Sequence, residues 1–543
     1  MKFRMNPRLM MLILSVVVMA LLFAGIGFYN FLPDDTYITL RYARNVIRGE
    51  GFVFNEGERL EGYTNFLWLL LIVLAGKAGA PLLLSARVMS AIFSACVLLL
   101  SCWAARDYAR STGGKNWDLA LVSILPPMLL VSSAPLLAWS LSGTEIPLFT
   151  FLLLGGFLLL QRRKKPESIF ALLGLLGLVR PEGLLFCAVA GVFLLLTRSN
   201  RKEVLIKGAC VLSIIYIPYI AWKWIYFGSL LPNTFYAKTG PFGLMLDNGS
   251  KYLFAFFVSY GYFLPIGLIL DRNNPAKLHS TVLPLCFILT HWIAVMLLGG
   301  DWMPHYRLLL PTMPIILLVL SGGLARTGAE RLYSRAPGTG ERQDRGTGGA
   351  DERSAPEAGD TGGDQRKWSN PVPVVTFLLV FLIAVPGGLG YGKFEIERRS
   401  VDLFTRLGKR LGVILPPQTR LACGSTGAIS FYSGLYVVDI LGLTEARIAR
   451  NGRIVATQPG HMKTDGKHVL SKRPDLLLLG NIQIHRGTRG KNEMKHKIQE
   501  NDIIIQPEFF EDYIFVNIPL SPQLYLSCYK RKEFPLASAI VME

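Results

Sequence analysis

Long apolar runs alternate with short polar connections along most of the chain. They fall near residues 9–31, 65–80, 84–104, 118–138, 145–161, 167–180, 183–197, 204–226, 251–270, 280–299, 304–323 and 372–391. As a helix the first run, Leu9 to Phe31, is about 34 Å long and crosses a hydrocarbon core of roughly 30 Å. Its apolar core is longer than that of a signal peptide, and "AGIGFYNFLPDD" is a poor cleavage site, so a retained helix is expected. Two segments break the pattern. Residues 325–371 are Gly-rich, charged of both signs and nearly free of large apolar side chains. They cannot bury a core and read as a disordered cytoplasmic linker. Beyond 392, apolar stretches such as "YVVDIL", "DLLLLG", "DIIIQ" and "YIFVNI" alternate with polar segments, the pattern of a small α/β domain. The chain therefore divides into a membrane region (1–324), the linker, a last span (372–391) and a C-terminal domain (392–543).

Charge sets the topology. Basic clusters at 106–115, 162–165, 198–207, 272–277 and 326–335 mark some connections, and Lys and Arg favour the cytoplasmic side. All of them reach that side only if 65–80 lies in the interface. Its short apolar length and Gly-rich end suit a re-entrant or surface helix. The result is eleven spanning helices, the N-terminus cytoplasmic and the C-terminal domain outside. The connections without basic clusters then share the outer face: "LPDDTYITLRYARN", "EGYTN", "LSGTEIP", "LVRPEG", "YFGSLLPNTFYAKTG" and "LLGGDWMPHYR". Ionisable groups near membrane depth are costly and usually functional. Gathered on one face, they predict a single outward-facing cavity.

Composition fits a polytopic membrane protein: 51% hydrophobic, 17% charged, mean hydropathy +0.37. The net charge of +19 does not indicate nucleic acid, because the basic residues sit in loops that orient spans. Five of the seven cysteines lie in apolar runs and pack as small hydrophobes. Cys423 and Cys528 lie in the C-terminal domain, where they either pair or stay free. No cysteine spacing suggests a metal site. No P-loop, G-x-G-x-x-G, G-x-S-x-G or HExxH pattern occurs in a supporting context, so ATP-driven transport and zinc proteolysis lack support.

The densest chemistry follows the first span. Pro33 stops that helix and Asp34 is a good N-cap for the next. Along it Tyr37, Arg41, Arg44 and Arg48 form a basic stripe, expected to face headgroups or a bound phosphate. One acid satisfies a helix start; two adjacent acids, Asp34 and Asp35, repel, so at least one is a catalytic candidate. Tyr63 and Asn65 suit a sugar ring, although Tyr and Trp there also make an ordinary aromatic belt. Glu145, Arg180 and Glu182 sit at span ends as binding groups or as plain salt-bridge partners. Asn233, Tyr236 and Lys238, with Asp301, Trp302, His305 and Arg307, bring cations and hydrogen-bonding groups to the same face. Lys238 and Arg307 are phosphate-binding candidates.

The run "DDTYITLRYARNVIRGEGFVFNEGERLEGYTNFLW", with "SGTE", "RPEG", "LPNTFYAK", "GGDWM" and "VVDILGLTEARIAR", resembles the terminal β-(1→2)-arabinofuranosyltransferases of actinobacterial cell-wall synthesis and their bacterial relatives, within the GT-C superfamily of membrane glycosyltransferases. The resemblance implies a GT-C-type polytopic helical fold and location in the bacterial inner membrane. It implies transfer of a sugar, such as arabinofuranose, from a polyprenyl-phosphate donor to an envelope glycan or lipid acceptor, with no cofactor and no essential metal. Asp34 or Asp35 would act at the glycosyl carbon; Arg41, Lys238 and Arg307 would hold the phosphate. A hexose or amino-sugar transferase acting on lipid A, O-antigen or protein is the alternative within this class. A lipid-linked sugar flippase is the alternative outside it, but no internal repeat is evident.

Overall fold

The computed structural model describes residues 27, 29–111, 116–272, 281–333, 372–480, 482–536 and 540–541. The first expected span and most of the expected linker lie outside them. The chain is an integral membrane protein of packed apolar helices carrying a strand-containing C-terminal domain. Among the described residues three helices are long and apolar enough to cross a bilayer: Leu82–Tyr108, Arg201–Phe227 and Leu310–Thr327. Two bent pairs raise the number to five: Val122–Val131 with Ala134–Ser140 (65°), and Phe242–Gly261 with Phe263–Leu270 (54°). Pro126 and Pro127 precede the first bend, and a π turn at Phe257–Gly261 marks the second. Helix length among the described residues does not confirm the expected count of eleven. Ile146–Gln161, Pro166–Val179, Pro181–Thr197 and Leu283–Leu297 are shorter apolar helices. Phe66–Lys77, expected at the surface, has 12 residues, about 18 Å.

The helix Asp34–Ile47 begins one residue earlier than the capping pattern predicts. Pro33 is its N-cap residue and Asp34 already belongs to the helix, so Asp34 does not cap it. Two expected boundaries also shift. The helix Met313–Tyr333 runs into the segment read as linker. The last span does not end at 391: Val372–Ile414 is one helix of 43 residues, about 65 Å long and twice the bilayer core. Its C-terminal half is the first element of the C-terminal domain.

That domain is built on a seven-stranded mixed sheet. β1 (Arg420–Cys423), β2 (Tyr436–Asp439) and β5 (Leu476–Leu478) are parallel in the order β2-β1-β5. β8 (Leu524–Arg531) pairs antiparallel with β5, with β6 (Gln483–Arg486) and with β7 (Tyr513–Ser521); β9 (Ile540–Val541) pairs with β7. β3 (Arg453–Ile454) and β4 (Lys463–Thr464) form a separate hairpin. "DIIIQ" falls at the end of the helix Ile498–Ile504 rather than in a strand. The parallel strands are buried on both faces, which explains their unbroken apolar runs. Leu421, Cys423, Val437, Leu476 and Leu478 join the core continuous with the membrane helices, whereas Ala422, Val438 and Leu477 join a second core. Cys423 and Cys528 are buried free thiols on strands separated by β5.

Candidate active site

One cavity of about 1200 Å³ lies where the membrane helices meet the C-terminal domain. Its floor includes Asp34 and Asp35, Arg180 and Glu182, Lys238, and Asp301, Trp302 and Arg307. A recess of about 70 Å³ holds Tyr63, Asn65 and Glu145, and Asp35, Arg180, Lys238 and Arg307 line it too. Six sequence segments thus converge.

The structure separates the two aspartates, because adjacent residues on a helix point about 100° apart. The Asp34 carboxylate accepts hydrogen bonds from the backbone N–H groups of Gly427 and Ala428, each 2.8 Å. These open the helix Gly427–Ser433 that follows β1, so Asp34 satisfies the exposed donors of a helix 393 residues away. Gly427 is required there: a Cβ would lie 2.0 Å from the Asp34 carbonyl oxygen. Burial pushes the Asp34 carboxyl up to about 6, although both N–H donors oppose the shift.

Asp35 turns to the cavity. Its Oδ2 lies 3.0 Å from Arg307 Nη1, and 37% of its side chain stays accessible. Burial raises its pKa, but Arg307, Lys238 and His461 outweigh that and hold the carboxyl below its usual value. Arg307 also donates to both oxygens of Asp301. Gly300 turns the chain into this loop with φ +68°, and a Cβ there would meet Tyr252 at 2.6 Å. Arg180 bridges Glu145 (2.8 Å) and Glu182 (2.5 Å), and Asn65 donates to the other Glu145 oxygen at 3.0 Å. Each of these cations is matched by acids. Lys238 is not: among the described residues its amine has no ion pair within 4.0 Å, though it is exposed to the cavity. Burial pulls its pKa down, with Asp35 acting against the shift.

Four expected binding residues stand elsewhere. Arg41 is buried, and its guanidinium donates to the carbonyls of Phe54, Ser430 and Leu435. Arg44 donates to the Phe431 carbonyl. The basic stripe therefore docks the C-terminal domain instead of facing headgroups or a phosphate. Asn233 donates to the Gly442 and Leu443 carbonyls (2.8 and 2.9 Å). The Tyr236 carbonyl accepts from Lys463 (2.7 Å) and its ring lies under Arg450. His305 is buried with φ 58° among Tyr29 and Phe394. Burial alone lowers its pKa to about 4, as for a neutral packing residue.

Sequence reasoning missed the far wall: Glu397 and Ser400 of the long helix, Gln458 and His461 of the β3–β4 loop, and Lys497. A long helix read as ending at 391 hid the first pair. The others lie in polar loops without motif character.

The fold is that of an integral membrane protein with a strand-containing C-terminal domain. Its structure is similar to that of ArnT from Cupriavidus metallidurans bound to undecaprenyl phosphate, with TM-score 0.56 and 12% identity over 95% of this chain and 97% of the other. The apo form of that protein matches with TM-score 0.55. In sequence it is similar to the terminal β-(1→2)-arabinofuranosyltransferases of Mycobacterium tuberculosis (30% identical over 295 residues) and Corynebacterium glutamicum (27% over 337 residues). The matched stretches cover 50% and 53% of this chain but only 46% and 48% of those relatives. Residues 394–530 match a family described as a domain of unknown function (DUF8728).

Proposed function

We propose that this protein is a membrane glycosyltransferase that moves a sugar, a pentose such as arabinofuranose, from a polyprenyl-phosphate donor to an envelope glycan acceptor on the outer face of the bacterial inner membrane. The observation that carries this reading is the unmatched Lys238 amine beside the Asp35–Arg307 pair. An amine without an ion-pair partner beside a reachable carboxylate suits an anionic leaving group next to a reacting carbon. Leu231, Phe235, Phe242 and Leu297 are exposed large apolar residues on the same cavity, a surface for a prenyl chain.

In this mechanism the bond between the glycosyl carbon and the donor phosphate oxygen breaks. The acceptor oxygen bonds to that carbon and loses its proton, and polyprenyl phosphate leaves. Lys238 and Arg307 stabilise charge growing on the phosphate. As Arg307 turns to the phosphate, its hold on Asp35 weakens and the carboxylate becomes a stronger base. An inverted product makes Asp35 the base that takes the acceptor proton. A retained one makes it a nucleophile or the stabiliser of an oxocarbenium-like state. No cofactor or metal is needed, since arginine and lysine supply the positive charge.

The test uses purified protein with synthetic farnesyl-phosphate sugars, pentose, hexose and amino sugar in parallel. Transfer from the pentose donor, lost in Asp35→Asn at normal expression, is the expected result. Transfer from a hexose or amino-sugar donor alone would replace the sugar assignment. Full activity in Asp35→Asn would remove the catalytic one. Lipid scrambling in liposomes without any glycoside formed would identify a flippase instead.

A further inference from the structure

The cavity has two chemically different sides. Leu185, Leu231, Phe235, Phe242, Leu297 and Leu298 line it from the membrane helices, and all are exposed. The opposite wall comes from the long helix beyond the expected bilayer and from the C-terminal domain, and it carries a group of polar side chains beside the exposed Ile396 and Ile498. Glu397 and Ser400 project from consecutive turns of that helix, and Gln458, His461 and Lys497 face them from loops. Three observations set this wall apart from a plain lid. Among the described residues the Glu397 side chain has no hydrogen bond or ion pair within 4.0 Å and Lys497 Nζ has no ion pair within 4.0 Å, although both are polar ends at a cavity and near enough for Lys497 to act on the Glu397 carboxyl. The β3–β4 loop is pinned to the membrane region rather than free: Asn248 donates to the Thr457 carbonyl at 2.7 Å, and Lys463 to the Tyr236 carbonyl. It brings His461 edge-on to the Trp302 ring, centroids 5.2 Å apart. Finally, Gly424, Ser425, Thr426, Leu441 and Leu443 of this wall follow the carboxyl ends of β1 and β2, the end of parallel strands where ligands sit in α/β sheets.

We infer that Glu397, Ser400, Gln458, Lys497 and the exposed part of Trp302 form an acceptor subsite that takes an oligosaccharide, with hydroxyls bonded to the polar groups and a ring face on the indole. This assigns a task to part of the segment that matches a domain of unknown function. It rests on the transferase reading for the identity of the second substrate, but not for carbohydrate binding itself. Hydroxyl-rich chains suit this wall because isolated donors and acceptors there keep their partners open, whereas a prenyl chain would leave Glu397 and Lys497 desolvated and unpaired.

The experiment uses the full-length protein in detergent, farnesyl-phosphoryl arabinofuranose and a synthetic arabinofuranosyl trisaccharide. In Gln458→Ala/Lys497→Ala the acceptor KM rises roughly tenfold or more, as loss of two hydrogen-bonding partners implies, while the donor KM stays within twofold. In Phe235→Ala the pattern reverses. Saturation-transfer NMR with the trisaccharide alone is the second readout and needs no turnover: the wild type gives a signal that the double variant loses. A rise in donor KM instead, unchanged acceptor KM, or no saturation transfer to the wild type overturns the subsite. Absence of transfer with normal trisaccharide binding overturns the transferase reading and leaves the subsite standing.

Discussion

Gly427→Ala adds one methyl group at the point where the C-terminal domain meets Asp34. The new Cβ would sit 2.0 Å from the Asp34 carbonyl oxygen and 2.8 Å from its carboxylate carbon. The facing atom is backbone of the helix that also carries Asp35, so no flexible side chain can yield. Non-bonded contacts settle at roughly 3–3.5 Å, so the two segments must part by at least about 1 Å. Hydrogen bonds of 2.8 Å stretched by that much lie beyond bonding range. Bonds to a charged acceptor contribute about 1.5–3 kcal/mol each, so the ceiling on the loss is about 3–6 kcal/mol, reduced by whatever the loop relaxes. An error of that size beside the reacting carboxylate costs on the order of a hundredfold in kcat. The assay is differential scanning fluorimetry together with transfer from the synthetic donor. Gly243→Ala is the control, because no atom lies within 4 Å of its added Cβ. A Gly427→Ala protein with wild-type Tm and wild-type kcat would refute the idea that this contact positions Asp35.

Asp35→Asn should lower kcat by roughly 10²–10⁴, the contribution of a positioned acid or base, with Tm nearly kept; Asp34→Asn should lower Tm more than Asp35→Asn does. Lys238→Ala should raise the donor KM by roughly ten- to a hundredfold, equivalent to one charge-assisted contact, and weaken inhibition by undecaprenyl phosphate in parallel. Acid titration of Tm should distinguish the aspartates by sign. The folded pKa of Asp35 is lowered, so its stabilisation is present above the ordinary carboxylate value and is lost as pH falls through the lower folded one. Asp34 is raised to about 6, so the folded state holds more protons between its ordinary value and 6, and its contribution weakens as pH rises across that window. Each slope should vanish in the matching Asn variant.

Much of this architecture is legible in the linear pattern. The demotion of 65–80 from a span places "DD", "SGTE", "RPEG", "LPNTFYAK" and "GGDWM" on one face, and the cavity and its side recess together collect residues from all five. What the pattern cannot reveal is direction across the molecule. Arg41 and Arg44 have the spacing of a headgroup-binding stripe, but their partners are carbonyls almost 390 residues further on. Carbonyl acceptors have no side-chain signature. Asp34 and Asp35 are chemically identical in sequence, and only the helix rotation and the position of Gly427 tell them apart. Asn233 and Tyr236 lie in a motif that includes Lys238, yet one turn of helix turns them to the C-terminal domain and leaves Lys238 in the cavity. His305 reads as a polar loop residue because its aromatic neighbours, Tyr29 and Phe394, come from distant segments.

The bond between residue 34 and residue 427 also orders events during biogenesis. At 5–20 residues per second, roughly 20–80 s of translation separate the synthesis of its two ends. In the topology proposed above, the helix that Asp34 holds must also cross the bilayer after the membrane helices have inserted. Until then Asp35 has its neighbours in the membrane region but not the wall that closes the cavity. Under the proposed function, a half-made chain in the membrane therefore presents no finished reaction chamber to lipid donors, and competence arrives in one late step, with the docking of the C-terminal domain.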